Sequence, residues 1–304
     1  MHTTISYNSC MHNPAHYDAV DYLVIGHLSR DRTPEGPRLG GTAAFSSLTA
    51  RALGLRAGIV TAWSDDLPLE PLLSTPVAGQ AAARSTSFEN IQTPEGRQQI
   101  IHHIAPPLGY DHIPEAWRAP QIVHLGPIAQ EVDPSLVKYF PEAFICVTPQ
   151  GWLREWDQDG RVYKSNRPEA FEALGCADAA VISIEDVAGD EQYIEKLATA
   201  SKILVVTEGA HGARVYWQDE RRSFPAPRVD EVNSTGAGDI FATVFFIHLH
   251  RTGNPWAAAQ YANQLAALSV TRIGLDGVPR PEEISPEYPI AYERNLILSS
   301  EVVI

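Results

Sequence analysis

The 304-residue chain has few cysteines, few methionines and little positive charge, and it contains no long uninterrupted apolar run. Its three cysteines, Cys10, Cys146 and Cys176, are odd in number and lack metal-ligand spacing, so neither a disulfide framework nor a thiolate-held metal is expected. With 23 Lys and Arg against 37 Asp and Glu, the formal net charge is −14, which leaves no basic face for nucleic acid or an anionic membrane. An anionic ligand would instead need a local site of backbone amides, a metal ion and a few basic side chains. No run of about 18 apolar residues is present to span a bilayer, and the N-terminus lacks a basic and then apolar secretion pattern. A cytoplasmic protein is expected on those grounds.

What the chain does have is enough hydrophobic sequence, 44%, to bury a full α/β core. Residues 1–17 are polar and aperiodic and read as an N-terminal tail, with His2, His12 and His16 solvated rather than ligating. The remainder, 18–304, reads as one domain, with no internal repeat and no low-complexity linker. Short apolar runs at Tyr22 to Ile25, Ala57 to Trp63, Ile122 to Leu125, Phe144 to Val147, Ala179 to Ser183 and Ile203 to Thr207 predict buried strands. Helical patterns at Thr42 to Leu53, Pro168 to Leu174, Gln192 to Ala200, Gly238 to Arg251 and Pro255 to Arg272 alternate with them. Near-continuous apolar strands separated by helices predict a mainly parallel sheet covered on both faces. Residues 85–104 differ, reading as paired strands around a turn between Asn90 and Gly96, placed to cover a site at the sheet edge.

The segment Asn233-Ser234-Thr235-Gly236-Ala237-Gly238-Asp239, followed by the apolar run Ile240 to Ile247, carries the chemistry. Two glycines permit a tight turn, and the helix they open presents unpaired N–H groups and the positive end of its dipole to an anion. Asp239 sits in the first turn, where a carboxylate can take a proton from an incoming hydroxyl. The plainer alternative is an ordinary glycine loop before a helix stabilised by a first-turn acid. Ligands of open α/β sheets bind beyond the C-terminal strand ends, and further suggestive residues gather there: Gly26 to Asp31, Gly40-Gly41 and Thr207 to Gly212.

With these elements in order, the chain from about Asp21 to Pro279 resembles the ribokinase-like, or PfkB, carbohydrate kinase family. The matching residues are Gly26 to Asp31, Gly40-Gly41, Val206 to Ala213, Thr235 to Asp239, and Tyr261-Ala262-Asn263 through Gly274. The resemblance implies a three-layer α/β/α fold with a mainly parallel central sheet and a short β lid, its elements near 31–40 and 85–104. It also implies transfer of the γ-phosphoryl group of ATP, with Mg²⁺, to a hydroxyl of a sugar, polyol or nucleoside. Asp239 would be the base, and Gly236, Ala237 and Gly238 the anion hole. Asp31, Gly40 and Gly41, with Arg97 from the covering strands, would meet the acceptor; Arg97 is alternatively a surface residue. Thr207, Gly209, Gly212 and Asn263 would lie along the nucleotide together with Gly236 and Gly238, and Asn263 is alternatively a packing amide.

Two departures bear on the metal. Asn233-Ser234-Thr235 replaces Asp-Thr-Thr, and Ser183-Ile184-Glu185-Asp186 stands where Asn-x-x-Glu is usual, leaving Glu185 and Asp186 to act on Mg²⁺ through water. The eight residues between Asp31 and Gly40 leave room for a short lid only. Together with Leu39 to Phe45 and Ser183 to Asp186, this is similar to the myo-inositol kinase branch, with Trp152 as a ring wall or core residue. A nucleoside or other sugar kinase (ribose, fructose, adenosine) is the enzymatic alternative. A non-catalytic nucleotide- or sugar-binding protein on the same fold is the alternative of another class. No nucleic-acid or membrane partner is expected, and either a monomer or a homodimer is.

Overall fold

A computed structural model describes residues 17–93 and 96–284. The N-terminal segment with His2, His12, His16 and Cys10 lies outside the described residues, as does the 94–95 turn. Among the described residues, fifteen strands and five α-helices follow in chain order. They are β1 (Tyr22–Ile25), β2 (Ser29–Thr33), β3 (Gly36–Gly40), α1 (Thr42–Ala52), β4 (Ala57–Trp63), β5 (Val77–Ala81), β6 (Thr86–Thr93), β7 (Gly96–His103), β8 (Ile122–Leu125) and β9 (Phe144–Val147). Then come β10 (Arg154–Trp156), β11 (Val162–Lys164), α2 (Pro168–Cys176), β12 (Ala179–Ser183), α3 (Glu191–Ala200), β13 (Ile203–Thr207), β14 (Ala213–Trp217), β15 (Glu220–Phe224), α4 (Ala237–Thr252) and α5 (Pro255–Ser269).

Nine strands form the main sheet in the order β15-β14-β13-β12-β9-β8-β1-β4-β5. Every neighbouring pair from β13 to β5 is parallel, whereas β14 and β15 fold back as antiparallel pairs. Because strand side chains alternate, the sheet feeds two cores. Tyr22, Val24, Ile59, Val181 and Val205 point into one with α1, α4 and α5; Leu23, Ile25, Val60, Ile182 and Val206 point into the other with α2 and α3. Helix α4 is buried from Ile240 to Leu249, which explains why its sequence is apolar all round. Among the described residues no helix is long and apolar enough to cross a membrane.

A second, four-stranded sheet runs β3-β2-β6-β7. The β2–β3 hairpin contributes five residues per strand, and β2 pairs in parallel with β6. Three buried side chains fix this small sheet to the main one. His27 sits between the Thr86 hydroxyl (2.7 Å) and the Pro106 carbonyl (3.0 Å), while Glu131 accepts the N–H groups of His27, Ile128 and Ala129. Burial lowers the His27 pKa, so the ring is neutral and bridges a donor and an acceptor.

On β8 of the main sheet, His124 is fully buried between the Tyr22 hydroxyl (2.8 Å) and the Thr148 hydroxyl (2.9 Å), and burial pulls its pKa down to about 3. Tyr22→Phe removes one partner and leaves a ring nitrogen unpaired in the core, at a cost of about 1–3 kcal/mol. Urea unfolding of the variant is expected to show that loss; unchanged stability would mean the hydroxyl contributes nothing there.

Candidate active site

The loop after β15 delivers Gly236 in a left-handed conformation, φ +84°, at the N-cap of α4. A Cβ at Gly236 would lie 2.1 Å from the Phe45 ring, so α1 presses its phenyl against the turn. Ala237 N–H closes the turn on the Ser234 carbonyl (3.2 Å), and Ile240 N–H makes the first helical bond to Gly236 (2.9 Å). The N–H groups of Gly236 and Gly238 have no backbone acceptor among the described residues, and both glycines line a cleft of about 1090 Å³. No atom stands within 4 Å of a Cβ built on Gly238, so this stretch of backbone is open to a ligand. The helix dipole adds to the attraction for an anion.

Asp239 is held by one hydroxyl: Thr42 Oγ1 donates to its Oδ1 at 2.7 Å. Burial pushes the carboxyl up from its ordinary 3.8 to about 6; the Thr42 bond and Arg154 draw it down, and Asp186 and Asp31 raise it. Although partly open to the cleft, the group is surrounded by protein on most sides, and desolvation dominates. Thr42 opens α1 after Gly41, whose φ of +88° and close approach to the His27 carbonyl require glycine.

The cleft unites most of the residues singled out by sequence. Asp31, Gly41, Thr207, Gly209, Gly212, Asn263, Glu185, Asp186 and Gly236 to Asp239 all line it. Gly40 does not line it. It ends β3 behind Asp31, where a Cβ would lie 2.3 Å from Asp31 Oδ2, so its part is to make room for that carboxylate. Arg97 lies on β7 opposite Gln92, and its side chain is outside the described residues. Trp152 is a core residue and not a ring wall: it is 2% exposed and its indole N–H donates to the Val132 carbonyl. Apolar lining comes instead from Phe88, Ile128 and Val162. Asn263 is likewise buried, its amide donating to the Phe224 carbonyl at 2.8 Å, so it braces the end of β15 while edging the cleft.

Several lining residues were not read from the sequence. Thr42 follows the glycine pair directly, a visible signal. Gln150 lies in the short turn Pro149–Gly151 after β9, and Arg154 and Lys164 come with the β10–β11 hairpin, whose Asp159-Gly160 turn between two short β-prone runs is a hairpin signature. Asn90 of β6 and Gln99 of β7, paired across the strands with Gln99 donating to Asn90 at 3.0 Å, share one face of the small sheet, and Gln98 next along β7 also lines the cleft.

Among the described residues no group of three or more His, Cys, Asp or Glu side chains is placed to hold a metal ion. Asp186 is already engaged, accepting from Ser183 N–H (2.9 Å) and Gln150 (3.2 Å) and facing Arg154 at 3.6 Å. Glu185 is exposed at the cleft edge. Such a donor set fits a magnesium ion that keeps most of its water and binds chiefly through ligand phosphates.

A carboxylate at an amide-lined helix terminus, between a doubly covered sheet and a small covering sheet, defines a ribokinase-like fold. The model of the pfkB family of carbohydrate kinases matches residues 158–282. The chain is similar to ribokinase of Bacillus subtilis (strain 168), 35% identical over 91 residues that make up 30% of this chain and 31% of that one. It is also similar to inositol 3-kinase of Oryza sativa subsp. japonica, 26% identical over 282 residues, 85% of this chain and 70% of that one. Among solved structures, a pyrophosphate-dependent kinase in the ribokinase family, complexed with a pyrophosphate analog and myo-inositol, superposes with a TM-score of 0.71. It is 18% identical, and the match covers 86% of this chain and 98% of that one. The match to the pfkB family of carbohydrate kinases is thus carried by residues 158–282, and over most of its length the chain is similar to a kinase of that kind.

Two outcomes are expected at this site. Because the folded pKa of Asp239 lies above its unfolded value, the stability tied to its neutral form is present below about pH 3.8 and lost as pH rises through about 6. Asp239→Asn should therefore unfold at higher denaturant than wild type above pH 6, by up to about 2–3 kcal/mol, and the two should converge toward pH 4. Equal stability at both pH values would contradict the desolvated carboxylate. Gly236→Ala should lose most activity while remaining folded, since the new methyl displaces Phe45 or the turn; circular dichroism and turnover measured together check this.

Proposed function

We propose that this protein transfers a terminal phosphoryl group from ATP to a hydroxyl of a small polyhydroxylated acceptor, with a myo-inositol-like cyclitol as its class. The observation that carries the proposal is the pairing, in one cleft, of the raised Asp239 carboxyl with the open amides of Gly236 and Gly238. A base with a pKa near 6 is mostly ionised at neutral pH and still basic enough to draw a proton from an attacking hydroxyl. The acceptor hydroxyl gives its proton to Asp239, its oxygen attacks phosphorus, and the bond to the leaving oxygen of the donor breaks. The amides and the α4 dipole hold the charge on the transferred group. Magnesium, with Glu185 at its water shell, would supply charge neutralisation on the donor phosphates.

The acceptor class rests on the inner face of the small sheet. Asp31, its Oδ1 accepting from Ser29 (2.7 Å), and the amides Asn90, Gln99 and Gln150 offer hydrogen bonds suited to neighbouring hydroxyls in a cleft also lined by the apolar Phe88, Ile128 and Val162. The names of the rice relative and of the inositol-bound structure support the same class. ATP as donor rests on the apolar lining residues Pro227, Val229, Ala266, Ala267 and Val270, which could pack against a base. A second reading, pyrophosphate as donor, is favoured by the similar structure being pyrophosphate-dependent.

Turnover should be measured with Mg-ATP and with pyrophosphate across myo-inositol, ribose, fructose and adenosine. Myo-inositol with ATP is expected to give the highest kcat/KM, and pyrophosphate outrunning ATP would replace the donor assignment. Tight binding of an acceptor without turnover by either donor would make the protein a binding protein. The rate should fall below about pH 6, where Asp239 gains its proton. Asp239→Asn should cost about 10²–10⁴ in kcat with acceptor binding largely kept.

A further inference from the structure

The β10–β11 hairpin brings the cleft a cation that the mechanism above leaves without a task. Three basic residues line the cleft: Arg154, Lys164 and Arg228. Lys164 donates to Asp190 at 2.7 Å and lies 4.5 Å from the centre of the Tyr193 ring, and Arg228 is exposed on the connection before α4. Arg154 is different, with its side chain only 11% exposed and its guanidinium 3.6 Å from Asp186, which is itself 6% exposed.

Asp186 is a fixed anchor. Ser183 N–H and Gln150 hold it from two sides, so its remaining freedom goes to orienting Arg154. Arg154 lines the same cleft as Asp239 and the α4 amides, and its charge reaches Asp239, whose pKa it draws down. An Arg–Asp pair buried merely for stability is weakly favoured against an apolar pair of the same size, because both ions must be dehydrated. One that opens onto a cleft beside a general base has an anion to meet.

We infer that Arg154 is a catalytic residue that contacts the transferred phosphoryl group, closing from the hairpin side the anion site that the Gly236 and Gly238 amides form from the helix side. This rests on the phosphoryl-transfer reading and adds a residue to it. As the acceptor oxygen bonds to phosphorus and the leaving oxygen departs with its electron pair, negative charge spreads over the three oxygens that stay on phosphorus. A planar guanidinium can donate to two of these at once, which an ammonium cannot do. Contacts that strengthen only as that charge develops act on kcat rather than on KM.

The test compares wild type, Arg154→Gln and Arg154→Lys with saturating donor and varied myo-inositol, over pH 5 to 9, with and without added guanidinium. Arg154→Gln should lose at least about 10² in kcat while acceptor KM stays within about threefold. Arg154→Lys and added guanidinium should each restore part of the rate, and the acid limb of the Arg154→Gln pH profile should move upward from about 6 as Asp239 loses its cationic neighbour. Loss confined to KM would overturn the inference and make Arg154 an acceptor anchor. So would a kcat loss that neither lysine nor guanidinium restores, the mark of a structural role. Wild type inactive with every donor and acceptor would instead bring down the phosphoryl-transfer reading, and this inference with it.

Discussion

One hydrogen bond, from Thr42 Oγ1 to Asp239 Oδ1, joins the first turns of two helices that are 197 residues apart in sequence. The rest of the site depends on those two turns facing each other. Helix α1 starts where Gly41 lets the chain leave the small sheet, and α4 starts where Gly236 turns against Phe45 of α1. Because both helices pack in the same core on the same face of the sheet, their N-termini reach the cleft at one level. The hydroxyl orients the carboxylate, and the surrounding protein raises its pKa without neutralising it at pH 7.

The electrostatics follow from this arrangement. A chain with net charge −14 that gathers Asp31, Asp186 and Asp239 around one cleft should repel a phosphate. The opposing terms are local: helix-terminal amides, and the Arg154 guanidinium facing Asp186, both lining the same cleft. Each acts over a few ångströms, where the low dielectric of the cleft magnifies it, while the overall negative charge is screened beyond about 8–10 Å at physiological salt. The small sheet then supplies amides and hydroxyl-matched acids rather than cations, consistent with a neutral acceptor and an anionic donor.

Much of the fold was legible because its central strands are buried on both faces. A run such as Ile122-Val123-His124-Leu125 must be apolar at nearly every position, and each predicted main-sheet strand is present with its bounds. Strands exposed on one side were not legible. β15 reads Glu-Arg-Arg-Ser-Phe, and β5 carries Gly79 and Gln80 at the sheet edge; tertiary pairing, not local pattern, makes them strands. At the site, Asp239, Asp31 and the glycine corners were visible through the order of their motifs. Gly40 and Gly41 were not distinguishable by sequence, since both are needed and only one faces the cleft. Trp152 was left open as ring wall or core residue because an aromatic after glycine suits either, and the structure takes the core alternative, its indole N–H donating to the Val132 carbonyl. Arg154 was missed because nothing in a polar hairpin marks which of its charges turns inward.

The central claim is that an anion sits on the α4 terminus while an acceptor hydroxyl faces Asp239. A crystal structure with a non-hydrolysable ATP analogue and myo-inositol measures it directly. The account predicts the terminal phosphate on the Gly236 and Gly238 amides and one inositol hydroxyl within about 3 Å of the Asp239 carboxylate. A phosphate bound away from those amides, or Asp239 still bonded only to Thr42 with no hydroxyl in reach, would contradict it.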